Sequence, residues 1–247
     1  MKLEDLKGKS ILEVIVALPQ FKWQLNEPKI CTVKPKLNRL IFVYYEHKKP
    51  RENIDLYLQL GLSKGISLDD LAFITEKGGG VNIGFTSKVE LGKPYSQEEH
   101  KFAHIPMIDL DTDRDFSFMS DKDLQDLIKR KIRETTEIER GVLLRSGPKR
   151  NYHFIGIGKL LSEEEFITFL GLALTMKYKT QDRDINLADP IQVGHALTPM
   201  KYLAQLSKLE DSVIKHSAYD YRDRFSTLRI TPKPSYKDFP RVVDVLK

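Results

Sequence analysis

His104-Ile105-Pro106-Met107-Ile108-Asp109-Leu110-Asp111-Thr112-Asp113 is the stretch on which the fold turns. Apolar residues run directly into two carboxylates spaced i, i+2. In a strand, side chains alternate between faces, so Asp109 and Asp111 share one face while Ile108 and Leu110 point into a core. Two carboxylates side by side at the end of a hydrophobic strand repel each other and are poorly solvated. A hard cation such as Mg²⁺ or Mn²⁺ relieves both penalties, because it takes oxygen ligands and often shares carboxylates with substrate phosphates. The alternative is structural: Asp109 opens a polar turn, and Asp111, Asp113 and Asp115 are simply solvated.

Downstream of this strand the pattern alternates between helix and strand. Ser120 precedes Asp121-Lys122-Asp123-Leu124, a helix cap with acid in the first turn, and Leu124, Leu127, Ile128 and Ile132 recur at helical spacing to about Glu137. Gly141–Arg145 and Tyr152–Ile157 read as strands joined by a loop from Ser146 to Asn151. Ser162-Glu163-Glu164-Glu165 is a capping box, predicting an apolar helix to about Tyr178. Thr198–Lys208 reads as a further helix with Pro199 in its first turn. Ser212–His216 and Thr227–Thr231 read as the last two strands.

Upstream, Arg39–Tyr45 reads as a strand, Asn53–Leu60 as a helix stopped at Gly61, and Leu71–Thr75 and Val81–Phe85 as short strands. Gly78-Gly79-Gly80 lies between the last two. A strand pattern follows these glycines where a phosphate-cradling loop would need a helix, so they predict a hairpin turn. Gly92-Lys93-Pro94 marks a break. The predicted organisation is an N-terminal α/β flank over residues 1–95 and a second module over 96–247, or one fused domain. Interleaved strands and helices make the class α/β or α+β.

Composition sets the outer limits. The chain has 247 residues, 40% hydrophobic and 30% charged, so it fills a core without resembling a disordered or membrane-embedded chain. The longest apolar run, Phe166 to Met176, is too short to span a bilayer, and no secretion signal opens the sequence. The single cysteine, Cys31, forms no intrachain disulfide and no cysteine-based zinc site, which fits an intracellular, reducing location. A formal charge of +5 permits binding to a polyanion without requiring it.

Two further polar constellations follow the acidic strand. In Ser146-Gly147-Pro148-Lys149-Arg150-Asn151-Tyr152-His153, a Ser-Gly turn leaves one strand and a basic loop leads to a histidine early in the next. His153 can contact a phosphate or a metal-bound nucleotide, with Lys149 and Arg150 holding further oxygens. The structural alternative is a hairpin tip with His153 half-buried. In Leu209-Glu210-Asp211-Ser212-Val213-Ile214 a carboxylate begins an apolar strand, and Thr227-Leu228-Arg229-Ile230-Thr231-Pro232-Lys233 puts an arginine inside another. An arginine there needs an anion, either a substrate phosphate or a nearby aspartate.

Paired Asp, Ser-Gly with His, a third Asp, then Leu-Arg-Ile with a following Lys: in this order, residues 104 to 235 resemble the archaeo-eukaryotic primase superfamily of primases and primase-polymerases. The resemblance implies a two-part core whose RRM-like mixed or antiparallel sheet carries the acidic site. It also implies template-dependent nucleotidyl transfer with Mg²⁺ or Mn²⁺ held by Asp109, Asp111 and a third acid. That acid is Asp211, which leads directly into Val213-Ile214, with Asp220 and Asp189 as the alternatives. Ser146, His153, Arg229 and Lys233 would bind nucleotide phosphates. The implied partners are a single-stranded DNA template, an NTP or dNTP, and a helicase or accessory primase subunit, with no membrane. The Ser146-to-His153 spacing is wider than the family's usual motif.

Three other classes remain open at this level. A DxD-type Mn²⁺-dependent glycosyltransferase explains Asp109 and Asp111 but assigns no work to Ser146, His153 or Arg229. A catalytically degenerate nucleic-acid-binding relative fits the altered Ser-to-His loop. A metal-dependent nuclease would use the same two-metal chemistry.

Overall fold

A computed structural model describes residues 2–17, 37–46, 56–61, 81–92, 101–113, 115–147, 150–197, 226–229 and 238–247. The chain is a mixed α/β fold containing an antiparallel four-stranded sheet. Its strands are β5 (Met107–Asp111), β6 (Gly141–Arg145), β7 (Asn151–Gly156) and β11 (Arg241–Leu246), in the order β11-β6-β7-β5. Both β5 and β6 are antiparallel to β7, so they run parallel to each other on either side of it.

The acidic strand forms as its alternation predicts. Ile108 and Leu110 are buried in one core with Leu143, Tyr152 and Phe154 of the neighbouring strands. Two helices close that face. The first, Asp121–Thr136, is capped by the Ser120 side chain, which accepts from the Asp123 N–H. The second, Glu163–Leu174, carries the reciprocal Ser162/Glu165 capping box. They are named α2 and α3, after a short N-terminal helix α1 (Ile11–Ala17). Leu124, Ile128 and Ile132 of α2 and Phe166, Leu170 and Ala173 of α3 are all buried against the sheet. Each large side chain of this kind contributes roughly 1.5–3 kcal/mol by leaving water.

A second antiparallel sheet is built from β1 (Leu37–Glu46), β2 (Leu56–Gly61), β3 (Val81–Gly92), β4 (Lys101–His104) and β10 (Thr227–Arg229). Pairing crosses residue 95 in both directions. β3 pairs with β4 and β10, and the N-terminal segment joins β11 through the Gly8 N–H to the Val242 carbonyl and a Ser10–Arg241 bridge. A buried polar joint ties this sheet to the helical layer. Ser87 Oγ lies 3.3 Å from His104 Nδ1 and accepts from the Ser226 N–H at 2.9 Å. The His104 ring stacks on Phe166 at 4.2 Å.

Several elements differ from the sequence reading. Leu56–Gly61 is a strand, not the end of a helix: Leu56, Leu58 and Leu60 alternate with period two, and pairing with β1 satisfies the backbone. The α3 helix stops at Leu174 instead of near Tyr178, and the chain turns at once into a hairpin, β8 (Lys177–Lys179) and β9 (Asp184–Asn186). A helix the sequence reading did not anticipate, α4 (Pro190–Leu197), follows. So does β11, paired along β6 with an irregularity between Val242 and Asp244. The expected elements at Leu71–Thr75, Gly78–Gly80, Thr198–Lys208 and Ser212–His216 lie outside the described residues.

Gly141 and Gly156 are register partners, and each is glycine for a steric reason. A Cβ on Gly141 would sit 2.7 Å from the Ile155 carbonyl oxygen and against the Phe154 ring. On Gly156 it would meet Pro106 at 2.9 Å.

Candidate functional site

The site grows from the register of β5 on β7. Asp109 lies opposite His153, and Asp111 lies opposite Asn151. Asp109 and Asp111 therefore share the face turned away from Ile108 and Leu110, about 7 Å apart along the strand. His153 Nε2 is 3.6 Å from Asp109 Oδ1, with the histidine side chain 5% exposed and the carboxylate 24%. Two constellations that the sequence keeps forty residues apart thus meet side by side.

A clasp beyond Asp111 holds this register. The Thr112 hydroxyl donates to the Arg150 carbonyl. The Asp113 N–H donates to Asn151 Oδ1 at 3.2 Å, and the Arg150 N–H donates to Asp113 Oδ1 at 3.3 Å. Thr112 is fully buried, so its hydroxyl needs this partner.

Asp189 joins the pair through the backbone. Its N–H donates to the Asp109 carbonyl at 2.9 Å. Its Oδ1 accepts from the Ile191 N–H at 2.8 Å, capping α4 with Pro190 in the first position. Asp111 and Asp189 then line one cavity of about 360 Å³ with Asp115, Asp184 and Arg183. Arg183 is paired with Asp115. Four carboxylates against one guanidinium leave the cavity strongly electronegative. It attracts cations and repels a bare phosphate.

The third constellation arrives through β10, which packs against β5 as well as pairing with β3. Arg229 ends that strand, opposite Gly84. Asp211, Asp220 and Lys233 lie outside the described residues, so of the three candidate third acids Asp189 is the one whose surroundings are described.

Two basic-loop expectations meet a different geometry. Ser146 is buried and closes the β6–β7 hairpin: its N–H and its hydroxyl both donate to the Asn151 carbonyl, at 2.9 and 3.2 Å. The Arg150 guanidinium donates to the carbonyls of Phe116 and Met119 and pairs with Asp121 at 2.8 Å. Asp121 also pairs with Arg145. Arg150 therefore fastens the 115–119 turn to the hairpin.

Among the described residues no three His, Cys, Asp or Glu side chains converge closely enough to enclose a metal ion. In kind, the donors at the cavity fit a hard divalent cation: carboxylate oxygens from one strand face and one helix cap, in an electronegative recess. Asp184 and Arg183 were not singled out from sequence, and Asp115 was read only as a solvated acid. The signal available for this corner was Asp189-Pro190, a helix start. Among the described residues no helix is long and apolar enough to cross a membrane. No protein-family model, curated protein or solved structure matches the chain.

Proposed function

We propose that the chain is a template-dependent nucleotidyltransferase of the primase or primase-polymerase type. The observation that carries this reading is the pairing of Asp109 with His153 across β5 and β7, on the strand whose Asp111 lines a cavity with Asp189. The progression β5-α2-β6-β7-α3, with β7 inserted between β5 and β6, supports an RRM-like module. Its fourth strand is added beside β6.

In this reading Asp109, Asp111 and Asp189 would hold one or two Mg²⁺ or Mn²⁺ ions. Asp189 takes the role of third acid because it alone of the three candidates is described beside β5. A divalent cation bound there would lower the pKa of an attacking hydroxyl and neutralise charge on the triphosphate. The protein's own groups do the rest. The β5–β7 clasp fixes the spacing of the two carboxylates. In this reading His153, nearly buried beside Asp109, would contact a phosphate oxygen of the incoming nucleotide. Arg229, at the end of β10, would supply positive charge to the nucleotide phosphates.

Extension of a labelled primer on a single-stranded template, with dNTPs or NTPs and Mn²⁺, tests the proposal. Incorporation directed by the template supports it. Turnover of UDP-sugars in place of nucleotides, or shortening of the primer without added nucleotide, would reassign the site to glycosyl transfer or to nuclease chemistry.

A second reading, a catalytically degenerate nucleic-acid-binding relative, draws on the internal roles of Ser146 and Arg150, whose polar groups bond to the protein's own backbone. Template binding with no nucleotide incorporation would favour it.

A further inference from the structure

The ladder between β5 and β7 ends at the pair Asp111–Asn151. Strand ends tend to fray past their last pair. Asp111 has a further reason to swing outward, because it shares its cavity with the carboxylates of Asp115, Asp184 and Asp189. Like charges at this range repel. The end of β5 is nevertheless tied down. Three hydrogen bonds cross beyond the last pair: Thr112 hydroxyl to Arg150 carbonyl, Arg150 N–H to Asp113 Oδ1, and Asp113 N–H to Asn151 Oδ1.

Asn151 is the centre of this joint. Its backbone carbonyl accepts from both the N–H and the hydroxyl of Ser146, which anchors it to the β6 side of the hairpin. Its side-chain oxygen accepts from the Asp113 N–H at 3.2 Å. A backbone N–H needs an acceptor, so this bond settles which end of the amide is oxygen. The other end carries two N–H donors. Register partners on antiparallel strands share a sheet face, with Cβ atoms roughly 4.5–5.5 Å apart. The Asn151 amide therefore lies on the face that carries the Asp111 carboxylate.

We infer that Asn151 is a positioning residue for Asp111. It ties the end of β5 against the repulsion of the acids, and its amide would donate to the Asp111 oxygen turned away from a divalent cation. Carboxylates that ligate a metal are themselves hydrogen-bonded, and loss of such a partner weakens metal binding by about 10–100-fold. The inference rests on the reading of the cavity as the cation site of nucleotidyl transfer. It adds a neutral residue, outside the acids, on which cation affinity depends.

Titration of the full chain with Mn²⁺, followed by the EPR signal of the free ion and without template or nucleotide, tests this. Asn151→Ala is expected to raise the Kd for Mn²⁺ about tenfold. In an Asp111→Asn background the same substitution should change Kd by less than about twofold, because its effect runs through that carboxylate. Gly141→Ala, at the far end of the same sheet, controls for general destabilisation. It should lower Tm at least as much as Asn151→Ala does, yet leave the Kd within about twofold of wild type. Equal affinity of wild type and Asn151→Ala would overturn the inference. So would an undiminished effect of Asn151→Ala in the Asp111→Asn background, an equal loss in Gly141→Ala, or no Mn²⁺ binding by the wild-type chain. Primer extension separates this inference from the function proposed above. Coupling of Asn151 to Asp111 in a chain that extends no primer would leave the inference standing and remove the polymerase reading. Primer extension by a chain without that coupling would do the reverse.

Discussion

Asp109 and His153 stand directly opposite each other on adjacent antiparallel strands, Oδ1 to Nε2 at 3.6 Å. This places an acidic pair and a histidine from separate sequence motifs on one sheet face. Under the proposed function the histidine would contribute more to binding than to chemistry, as a contact to a nucleotide phosphate. His153→Ala is expected to raise the KM for nucleotide about tenfold while lowering kcat by less, measured by steady-state primer extension. A large loss in kcat at constant KM would assign His153 to the chemical step.

Arg150 has a structural role. Replacing it with Ala removes the donors to the Phe116 and Met119 carbonyls and the pair with Asp121. A loss of about 2 kcal/mol, seen as a fall in Tm of roughly 4–8 °C, is expected. The KM for nucleotide should stay within about twofold. An unchanged Tm with a tenfold higher KM would restore Arg150 to the phosphate-binding role that its sequence context suggests.

Asp244 sits under two lysines: Lys7 at 2.8 Å, and Lys129, which also pairs with Asp126 at 2.9 Å. Burial alone raises the Asp244 carboxyl, but hydrogen bonds from Lys129, Lys7 and the Val245 N–H outweigh it and hold the group below its ordinary value. The unfolded chain therefore takes up this proton first as pH falls. The stabilisation is present at neutral pH and is lost as pH drops through the folded-state value. Lys129 is the opposite case. Burial lowers it, yet the hydrogen bonds it donates to Asp244 and Asp126 raise it above its ordinary value. Its contribution is full below the ordinary lysine range and is lost as pH rises through the raised value. Asp244→Asn should cost about 1–3 kcal/mol at pH 7 and flatten the acid limb of urea stability against pH.

Gly141→Ala should destabilise the four-stranded sheet by about 2–3 kcal/mol, read as a lower urea midpoint, because the added methyl meets the Ile155 carbonyl and the Phe154 ring. Gly171→Ala is the control: nothing lies within 4 Å of its Cβ position in α3. It should be neutral or mildly stabilising.

What the sequence reveals here is mainly what its neighbours in the chain decide. Ser120 and Ser162 identify helix starts because a cap bonds three residues ahead, within the reach of local pattern. Ile108-Asp109-Leu110-Asp111 reveals its two faces because strand alternation is itself local. The strand Leu56–Gly61 reads as a helix because short leucine-rich runs satisfy both periods, and only pairing with β1 decides between them. Arg150 reads as a free cation because its carbonyl partners, Phe116 and Met119, lie more than thirty residues earlier. Asp189 reads as one of three possible third acids because its hydrogen bond to Asp109 is tertiary. Its visible local signal, Asp-Pro, indicates a helix cap and nothing more.

The central claim is that Asp109, Asp111 and Asp189 act together on a cation-bound nucleotide. Mn²⁺-dependent primer extension by Asp109→Asn, Asp111→Asn and Asp189→Asn tests it most directly. Asparagine preserves shape and remains a good helix cap at position 189, so the fold should hold while the charge is removed. Each variant is expected to lose at least about a hundredfold in kcat, roughly 2.7 kcal/mol or more of transition-state stabilisation, with its melting temperature little changed. Full incorporation by the Asp109→Asn and Asp111→Asn variants would contradict the account.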